Sequence, residues 1–383
     1  MDFELSMEQE ILRKTVRDFA EKEIAPVARE LDDKEEFSLD TCRAMGELGL
    51  FGMVVDEAYG GQGMDYVSYI IAVEELARID GSHAATIAAG NSLGIGPLYY
   101  FGSEEQKKKY LPKLCTGEKL WGFGLTEPGA GSDAGNSSTT AVLDGDQWVL
   151  NGSKIFITNA SAPNSLGVTV MCKSGKRGDG RDELSCVLVE HGTKGFEARP
   201  MHGKLMWRAS NTSELYFDDC RVPKDNLLGG RGKGFHQMLE TLDAGRLSIG
   251  AMGVGGAQGA YELALRYAKE RVQFGQPISK FQINAFKLAD MALEIEAARL
   301  VLYKACWLRD KHQNFSKLAA MAKLYASEVM GRVVSEAVQL HGGYGLMKEY
   351  DVERFYRDQK LLTIGEGTSE IQRLVIARLI GAI

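Results

Sequence analysis

Helical periodicity breaks off near residue 120 and returns only at Gly230, and no other feature of the chain constrains its fold as strongly. An amphipathic helix repeats its apolar residues every three or four positions, whereas a half-buried strand repeats them every second one. A chain that switches period and then switches back cannot be one continuous bundle or one sandwich. At 383 residues it is also longer than a single core usually organises. The fold class expected is therefore mainly α with a central β domain. The expected parts are an N-terminal α-helical domain over 1–119, a middle β-barrel-like domain over 120–228 and a C-terminal four-helix bundle over 229–383.

The first part carries clear helix punctuation. Ser6 with Gln9 makes a capping-box pattern, and Ile11, Val16, Phe19 and Ile24 follow at helical spacing as far as Pro26, where the helix is predicted to end. "TCRAMGELGLFGM" predicts a shorter helix closed by glycines, and "EAYGGQGMD" a glycine loop. "YVSYIIAVEELARID" is apolar enough to be buried on all sides. Ser103 with Gln106 opens another helix, closed at Gly117.

In the middle part, "SSTTAVLDGDQWVLNG" places two β-rich runs around Asp144-Gly145, a strong hairpin signal. "LGVTVMC", "LSCVLVE" and "SELYFDDCRV" are further strands, with the charged loop "CKSGKRGDGRDE" between two of them. In the last part, "GAYELALRYAKERVQFG", "INAFKLADMALEIEAARLVLYKACWLRDK", "FSKLAAMAKLYASEVMGRVVSEAVQLHGG" and the segment from Ser369 predict four long helices. Glu262 and Arg266 stand at i,i+4 in the first of these. The apolar stripes are wide enough to pack on several neighbours, including another subunit.

Composition excludes several function classes. A formal net charge of −7 argues against a nucleic-acid footprint, and the run Lys107–Lys109 reads as a solvated helix face. No apolar run approaches the ~20 residues of a membrane span, so no membrane insertion is expected. The opening "MDFELSMEQEILRK" is charged from its second residue and predicts no signal peptide. Cys42, Cys115, Cys172, Cys186, Cys220 and Cys306 include no CxxC pair and predict free thiols in a reducing, cytoplasmic setting. The six histidines are isolated, and no metal site is expected.

"GVGGAQG" at 253–259 invites a dinucleotide-binding reading, but a Rossmann glycine loop follows a strand and opens a helix. The preceding "TLDAGRLSIGAM" contains no such strand, and the segment is predicted to lie inside a helix, where small residues permit close approach.

Three segments could carry chemistry. In "LLTIGEGTSEIQRLV", Glu366 stands between two glycines just before Ser369 and Gln372, a capping-box pattern that predicts a helix start. A solvated glutamate in a tight turn fits this pattern. So does a general base beside free backbone N–H groups, with the carboxylate taking a proton next to a carbonyl that those groups polarise. "WGFGLTEPGAGSD" at 121–133 starts as a strand and breaks at Pro128-Gly129, exposing N–H groups and hydroxyls with no bulky side chain nearby. A plain β-turn and the polar edge of a ring-binding site are both consistent with it. In "LNGSKIFITNA", Phe156 and Thr158 point the same way by period two, toward a core or a planar cofactor.

Taken together with "RVQFGQPISKFQ" and "QLHGGYG", the motifs "GLTEPGAGSD", "NGSKIFITN" and "EGTSEIQ" resemble, in order and essentially end to end, the signatures of the acyl-CoA dehydrogenase family of flavoproteins. The resemblance implies FAD as cofactor, an acyl-CoA substrate, an electron-transfer flavoprotein as partner and a homotetramer. It implies that Phe123, Leu125, Thr126, Gly131 and Ser132 hold the flavin and the thioester end, with Phe156 and Thr158 on the flavin's other side near N5. By the same resemblance Arg271, Gln273, Phe274, Gln282, Gln339, Gly342 and Gly343 meet the FAD pyrophosphate and adenosine, partly from a neighbouring subunit. Thr368 and Glu370 become further FAD contacts, and Asp243, Arg246 and Ser132 contacts to CoA.

Glu366 matches the family's catalytic glutamate. The implied reaction starts with a thioester carbonyl that accepts from the Glu366 N–H and a ribityl hydroxyl. Glu366 removes the α-proton, the β-carbon delivers a hydride to flavin N5, and a trans-2-enoyl-CoA results. Burial is expected to raise the pKa of the carboxylate.

The chain also departs from the family pattern. Many members have Tyr before the catalytic glutamate, where this chain has Gly365, which implies room for a short branched or alicyclic acyl group. Isovaleryl-type members share that glycine but take their base from a helix position that here matches Gly245, so Glu366 is the only candidate. Trp207 stands where a small or aliphatic residue is common, either shaping the cofactor region or packing. Ala89 and Gly90 fall where the acyl pocket ends and are expected to leave it deep. The competing functions are an acyl-CoA oxidase, commonly longer at its C-terminus, and a catalytically silent flavoprotein scaffold, against which the retained Glu366 argues.

Overall fold

The computed structural model describes residues 4–383. Residues 1–3, part of the charged opening read above for a leader, lie outside the described residues.

Helix α1 (Met7–Phe19) opens on the expected capping box: Ser6 Oγ accepts from the Gln9 N–H at 3.2 Å, and the Gln9 side chain accepts from the Ser6 N–H at 3.0 Å. The chain does not stop at Pro26. It widens into a π-helical turn over Ala20–Ile24 and continues as α2 (Ala25–Lys34), with Pro26 in the first turn. Proline is tolerated there because a first-turn N–H has no intrahelical acceptor to lose. Then follow α3 (Leu39–Glu47), α4 (Tyr66–Ala77), α5 (Gly81–Ala89), α6 (Gly96–Phe101) and α7 (Glu104–Cys115). Helix α4 is buried on almost every side, and Ser103 with Gln106 caps α7 as the spacing predicts.

The strands are β1 (Leu120–Gly124), β2 (Thr140–Asp144), β3 (Gln147–Thr158), β4 (Ser165–Lys176), β5 (Asp182–Glu190), β6 (Phe196–Pro200), β7 (Thr212–Pro223) and β8 (Leu227–Leu228). They form one eight-stranded sheet in the order β6-β7-β3-β2-β4-β5-β8, with β1 parallel to β4. No pairing joins β6 to β8, so the sheet is not a closed barrel. Asp144 pairs with Gln147, leaving Gly145 and Asp146 as a two-residue loop. Gly145 takes φ +63°, as the first loop position of a type II′ hairpin turn requires.

The last part holds α8 (Gly234–Glu270), a small hairpin of β9 (Val272–Gln273) and β10 (Gln276–Pro277), α9 (Gln282–Asp310), α10 (Ser316–His341), α11 (Val352–Leu362) and α12 (Ser369–Leu379). Three of these helices are long, of 37, 29 and 26 residues; the fourth expected helix, from Ser369, is α12 and is short, with 11 residues, and α11, also of 11 residues, was not foreseen. The glycine-rich decoy lies inside α8: a Cβ on Gly255 would strike the Glu74 carbonyl of α4, and one on Gly253 the backbone of Ala326 in α10. Small residues there let three helices meet. Glu262 does not spend itself on Arg266; it reaches Arg78 at 2.8 Å and Gln258 at 2.8 Å, tying α8 to α4.

One apolar core runs through both helical parts, and a separate cluster around Trp148, Val168, Leu215 and Phe217 fills the sheet. Among the described residues no helix is long and apolar enough to cross a membrane. All six cysteines are buried free thiols.

Candidate active site

Glu366 lies in the short loop between α11 and α12 and takes φ +52°. A residue with a side chain pays roughly 1–2 kcal/mol to sit in the left-handed region, so the loop must be held. Lys323 Nζ on α10 donates to the Gly367 carbonyl at 2.6 Å, and Gln372 Nε2 on α12 donates to the same carbonyl at 3.0 Å and to that of Glu366 at 3.2 Å. The cap of α12 falls one residue earlier than expected. Thr368, not Ser369, is the N-cap, its Oγ1 accepting from the Ile371 N–H at 3.2 Å. Gln372 forms no capping box with Ser369 because its amide is drawn past the cap to the two loop carbonyls.

The carboxylate points at α8. A Cβ built on Gly245 would overlap Glu366 Oε2, so this glycine makes room for the acid. Oε2 is buried and has no hydrogen-bond partner among the described residues. Burial pushes the carboxyl up to about 7, against the opposing pull of Lys323 and Arg246. Burial pushes Lys323 the other way, down to about 8, with the Glu366 charge resisting. The Glu366 N–H meets no acceptor among the described residues. Asp243 and Arg246 form an ion pair on the same stretch of α8, and Asp243 also accepts from Ser316 Oγ at 2.6 Å.

A cavity of about 310 Å³ opens beside this stretch. Asp243, Ser92, Tyr100, Ser316 and Arg309 line it, and the Arg309 guanidinium lies 3.9 Å from the centre of the Tyr66 ring. Gly96 also lines it, whereas Ala89 is buried at the end of α5 and is not among the lining residues. The place where Gly90 would have left depth is filled by the Phe51 ring, so Gly90 does not deepen a pocket. Gly365 does leave space: a Cβ there would meet only Leu361, at ordinary distances of 3.5 Å and beyond.

The turn after β1 is organised from beneath. Glu127 and Ala130 exchange backbone hydrogen bonds of 3.1 Å across Pro128-Gly129. The Glu127 carboxylate is buried, pairs with Lys154 Nζ at 2.7 Å and accepts from Ser137, Ser138 and Thr139. The same ammonium donates to the Leu125 carbonyl at 3.1 Å. Ile155 on β3 donates to the Thr126 carbonyl at 2.9 Å, which sets the part of β3 that carries Phe156 and Thr158 beside the chain at Leu125 and Thr126. Phe156 takes φ +62° and turns its ring outward, 61% exposed, while Phe123 is buried on β1. Nothing lies within 4 Å of where a Cβ on Gly129 or Gly131 would stand. An open polar edge beside an unpartnered aromatic wall suits a planar ring system such as a flavin.

The remaining expected cofactor residues gather elsewhere. Arg271, Gln273 and Phe274 lie on the β9–β10 hairpin and Gln282 starts α9. The Arg271 guanidinium stands 5.6 Å from the Tyr344 ring, in the segment Gly342–Leu346 that follows Gln339 and carries Gly342 and Gly343. Phe274 is 94% exposed with φ +50°. Thr368 is the α12 cap, and Glu370 is exposed in the first turn. Trp207 packs among Gly81, Met252, Met330, Phe355 and Asp358, and its backbone N–H donates to Asp358 Oδ1 at 2.8 Å.

Sequence reasoning passed over Lys323, Arg309, Ser316 and the Glu127–Lys154 pair. A signal existed for Lys323: Ala319, Ala322 and Ala326 mark the buried face of α10, and Lys323 falls on it.

Models of the N-terminal, middle and C-terminal domains of acyl-CoA dehydrogenase match residues 6–118, 122–220 and 232–381. The chain belongs to the acyl-CoA dehydrogenase family. It is 53% identical to a probable acyl-CoA dehydrogenase of Bacillus subtilis over 99% of each chain. It is 44% identical to a caffeyl-CoA reductase-Etf complex subunit of Acetobacterium woodii, over 97% of this chain and 98% of that one. Among solved structures, butyryl-CoA dehydrogenase from Megasphaera elsdenii superposes with a TM-score of 0.95 at 43% identity, covering 99% of this chain and 100% of that one. An acyl-CoA dehydrogenase complexed with FAD from Bacillus anthracis does so with a TM-score of 0.92 at 38% identity, covering 99% of this chain and 68% of that one. As a member of this acyl-CoA dehydrogenase family the protein is an oxidoreductase.

Proposed function

We propose that the protein converts a short, branched or alicyclic acyl-CoA to its trans-2-enoyl-CoA, with Glu366 as the base that takes the α-proton. The observation that carries this reading is the Glu366 carboxylate itself, its Oε2 buried over Gly245 without a hydrogen-bond partner among the described residues and the group poised near neutrality. A base whose pKa lies near the working pH combines a useful ionised fraction with real proton affinity. The free Glu366 N–H is placed to donate to the thioester oxygen and so to acidify the α-carbon. Asp243 and Arg246, paired on the turn of α8 that carries Gly245, would hold the CoA arm, with Ser132 in the turn after β1 as a further contact.

FAD is the cofactor and supplies the hydride acceptor for the β-carbon when bound. Phe123, Leu125, Thr126, Gly131 and Ser132 would hold the ring edge, with Phe156 and Thr158 walling its other side. Arg271, Gln273, Phe274, Gln282, Gln339, Gly342, Gly343, Thr368 and Glu370 would hold the remainder, some of them from a neighbouring subunit of a homotetramer. The electrons pass to an electron-transfer flavoprotein, in keeping with the Etf complex to which the Acetobacterium relative belongs. Free buried thiols suit a reducing compartment, and we place the enzyme in the cytoplasm.

Gly365 supports the substrate class. Its φ is not left-handed, so the backbone does not require glycine, and the missing side chain is space. Anaerobic titration with butyryl-, isovaleryl-, cyclohexanecarboxyl-, glutaryl- and octanoyl-CoA, following the visible flavin band, tests the reading. One thioester should bleach the band, and Glu366→Gln should abolish the bleaching. Gly365→Tyr should cut turnover of the branched and cyclic substrates more than that of butyryl-CoA; equal loss would sink the argument from Gly365.

A further inference from the structure

Lys154 and Lys323 are two of the largest side chains sealed from solvent in this molecule. Lys154 is neutralised by Glu127 at 2.7 Å. Lys323 forms no ion pair among the described residues and spends one donor on the Gly367 carbonyl. A buried ammonium without a contacting carboxylate is costly, so its surroundings must compensate. The charged groups that face it come from four directions. Glu366, in the loop before α12, is the strongest attraction; Arg246 on α8 repels; Glu370 on α12 and Glu328 on α10 attract. Tyr69 on α4 faces Glu366 from the far side.

We infer that Lys323 is a positioning residue for the base. Its ammonium grips the Gly367 carbonyl so that Glu366 stays left-handed with its carboxylate over Gly245, and with Arg246 it is one of two buried cations which that carboxylate faces. The inference rests on Glu366 being the base. Gln372 holds the same carbonyl but brings no charge, so it shares the first task and not the second. Lys323 is not among the residues that line the cavity and makes no hydrogen bond to Asp243 or Arg246, and its removal should leave substrate affinity largely intact.

The test uses the FAD-loaded enzyme with an acyl-CoA that bleaches it, measuring kcat and KM across pH. Lys323→Met removes the donor and the charge, Lys323→Gln keeps a donor and drops the charge, and Lys323→Arg keeps both. The Met variant should lose about tenfold or more in plateau kcat, the scale of a base displaced by a fraction of an ångström, with KM within about threefold. The acid limb of the kcat profile should rise by about one pH unit in the Met and Gln variants, the effect of withdrawing a nearby opposite charge, and stay in place in Arg. The Gln variant should regain part of the plateau that Met loses. An acid limb that stays fixed in both Met and Gln would overturn the inference, as would losses of kcat that merely track FAD content. If Lys323→Met does not fold, the Gln and Arg pair decides alone. Glu366→Gln is measured beside them: substantial activity there refutes the base itself, whereas an inactive Glu366→Gln with unmoved Lys323 limbs refutes only the role of Lys323.

Discussion

A methyl group on Gly245 would occupy the point where Glu366 Oε2 now lies. The helix and the loop are both well anchored, so the added atom cannot be absorbed by moving either one far. Gly245→Ala is therefore expected to swing the carboxylate off its line and to cost roughly a hundredfold in kcat, the penalty typical of a reacting group displaced by about 1 Å. FAD content and KM should change little, which a visible spectrum and a substrate titration would read. The wild-type pH profile follows from the same geometry. The ionised carboxylate is the base, so activity should rise with pH through about 7 and level off above it, far from the usual carboxylate range. A kcat/KM profile whose acid limb lay near 4 would refute the buried setting. The Glu366 loop was legible in the sequence because glycines on both sides of an acid are unusual at a helix start. Lys323 was not, because a lysine on a long helix is normally a solvated residue. The packing of the α12 loop and of α8 onto the alanine face of α10 seals it in.

At the scale of elements, the turn after β1 depends on a residue far from it in sequence. Burial pushes the Glu127 carboxyl up, but Lys154 and the donors of Ser137, Ser138 and Thr139 outweigh it and hold the group well below the usual range. Strand β3 thereby fixes the loop that presents Gly131 and Ser132. Lys154→Met would leave Glu127 buried without its counter-charge, which typically costs about 3–5 kcal/mol. Urea unfolding should show that loss, and FAD affinity should fall with it. The double change Glu127→Leu with Lys154→Met should recover much of the stability without recovering the affinity. The strands and hairpin themselves were readable, since Asp144-Gly145 and period-two alternation are local signals. Other boundaries were decided by competition that local patterns do not contain. Pro26 fits inside the helix because a π-helical turn precedes it, and Thr368 takes the α12 cap because Gln372 is engaged by the base loop.

At the scale of the molecule, α9 keeps an apolar stripe that nothing among the described residues covers. Phe286, Leu293, Leu300 and Trp307 recur every seven residues and are 57%, 69%, 47% and 51% exposed, and Ile283 extends the row. A seven-residue period drifts only slowly around an α-helix, so these side chains share one broad face. Four large apolar groups in a row along one helix are more than a soluble surface normally leaves open. The stripe ends at the β9–β10 hairpin, where Phe274 is 94% exposed. A second copy of the chain packed along α9 would cover the stripe and bring a neighbour up to that hairpin, which joins assembly to cofactor binding. Leu293→Glu would bury a carboxylate in such an interface, at a cost large enough to separate the subunits. Light scattering at micromolar concentration should then report a smaller species than the parent protein forms. The same variant should lose FAD on gel filtration, although Leu293 stands well along α9 from the hairpin. A variant that kept both its size and its flavin would show that the stripe is not the interface. A variant that came apart yet kept its flavin would show that the hairpin residues bind within their own chain.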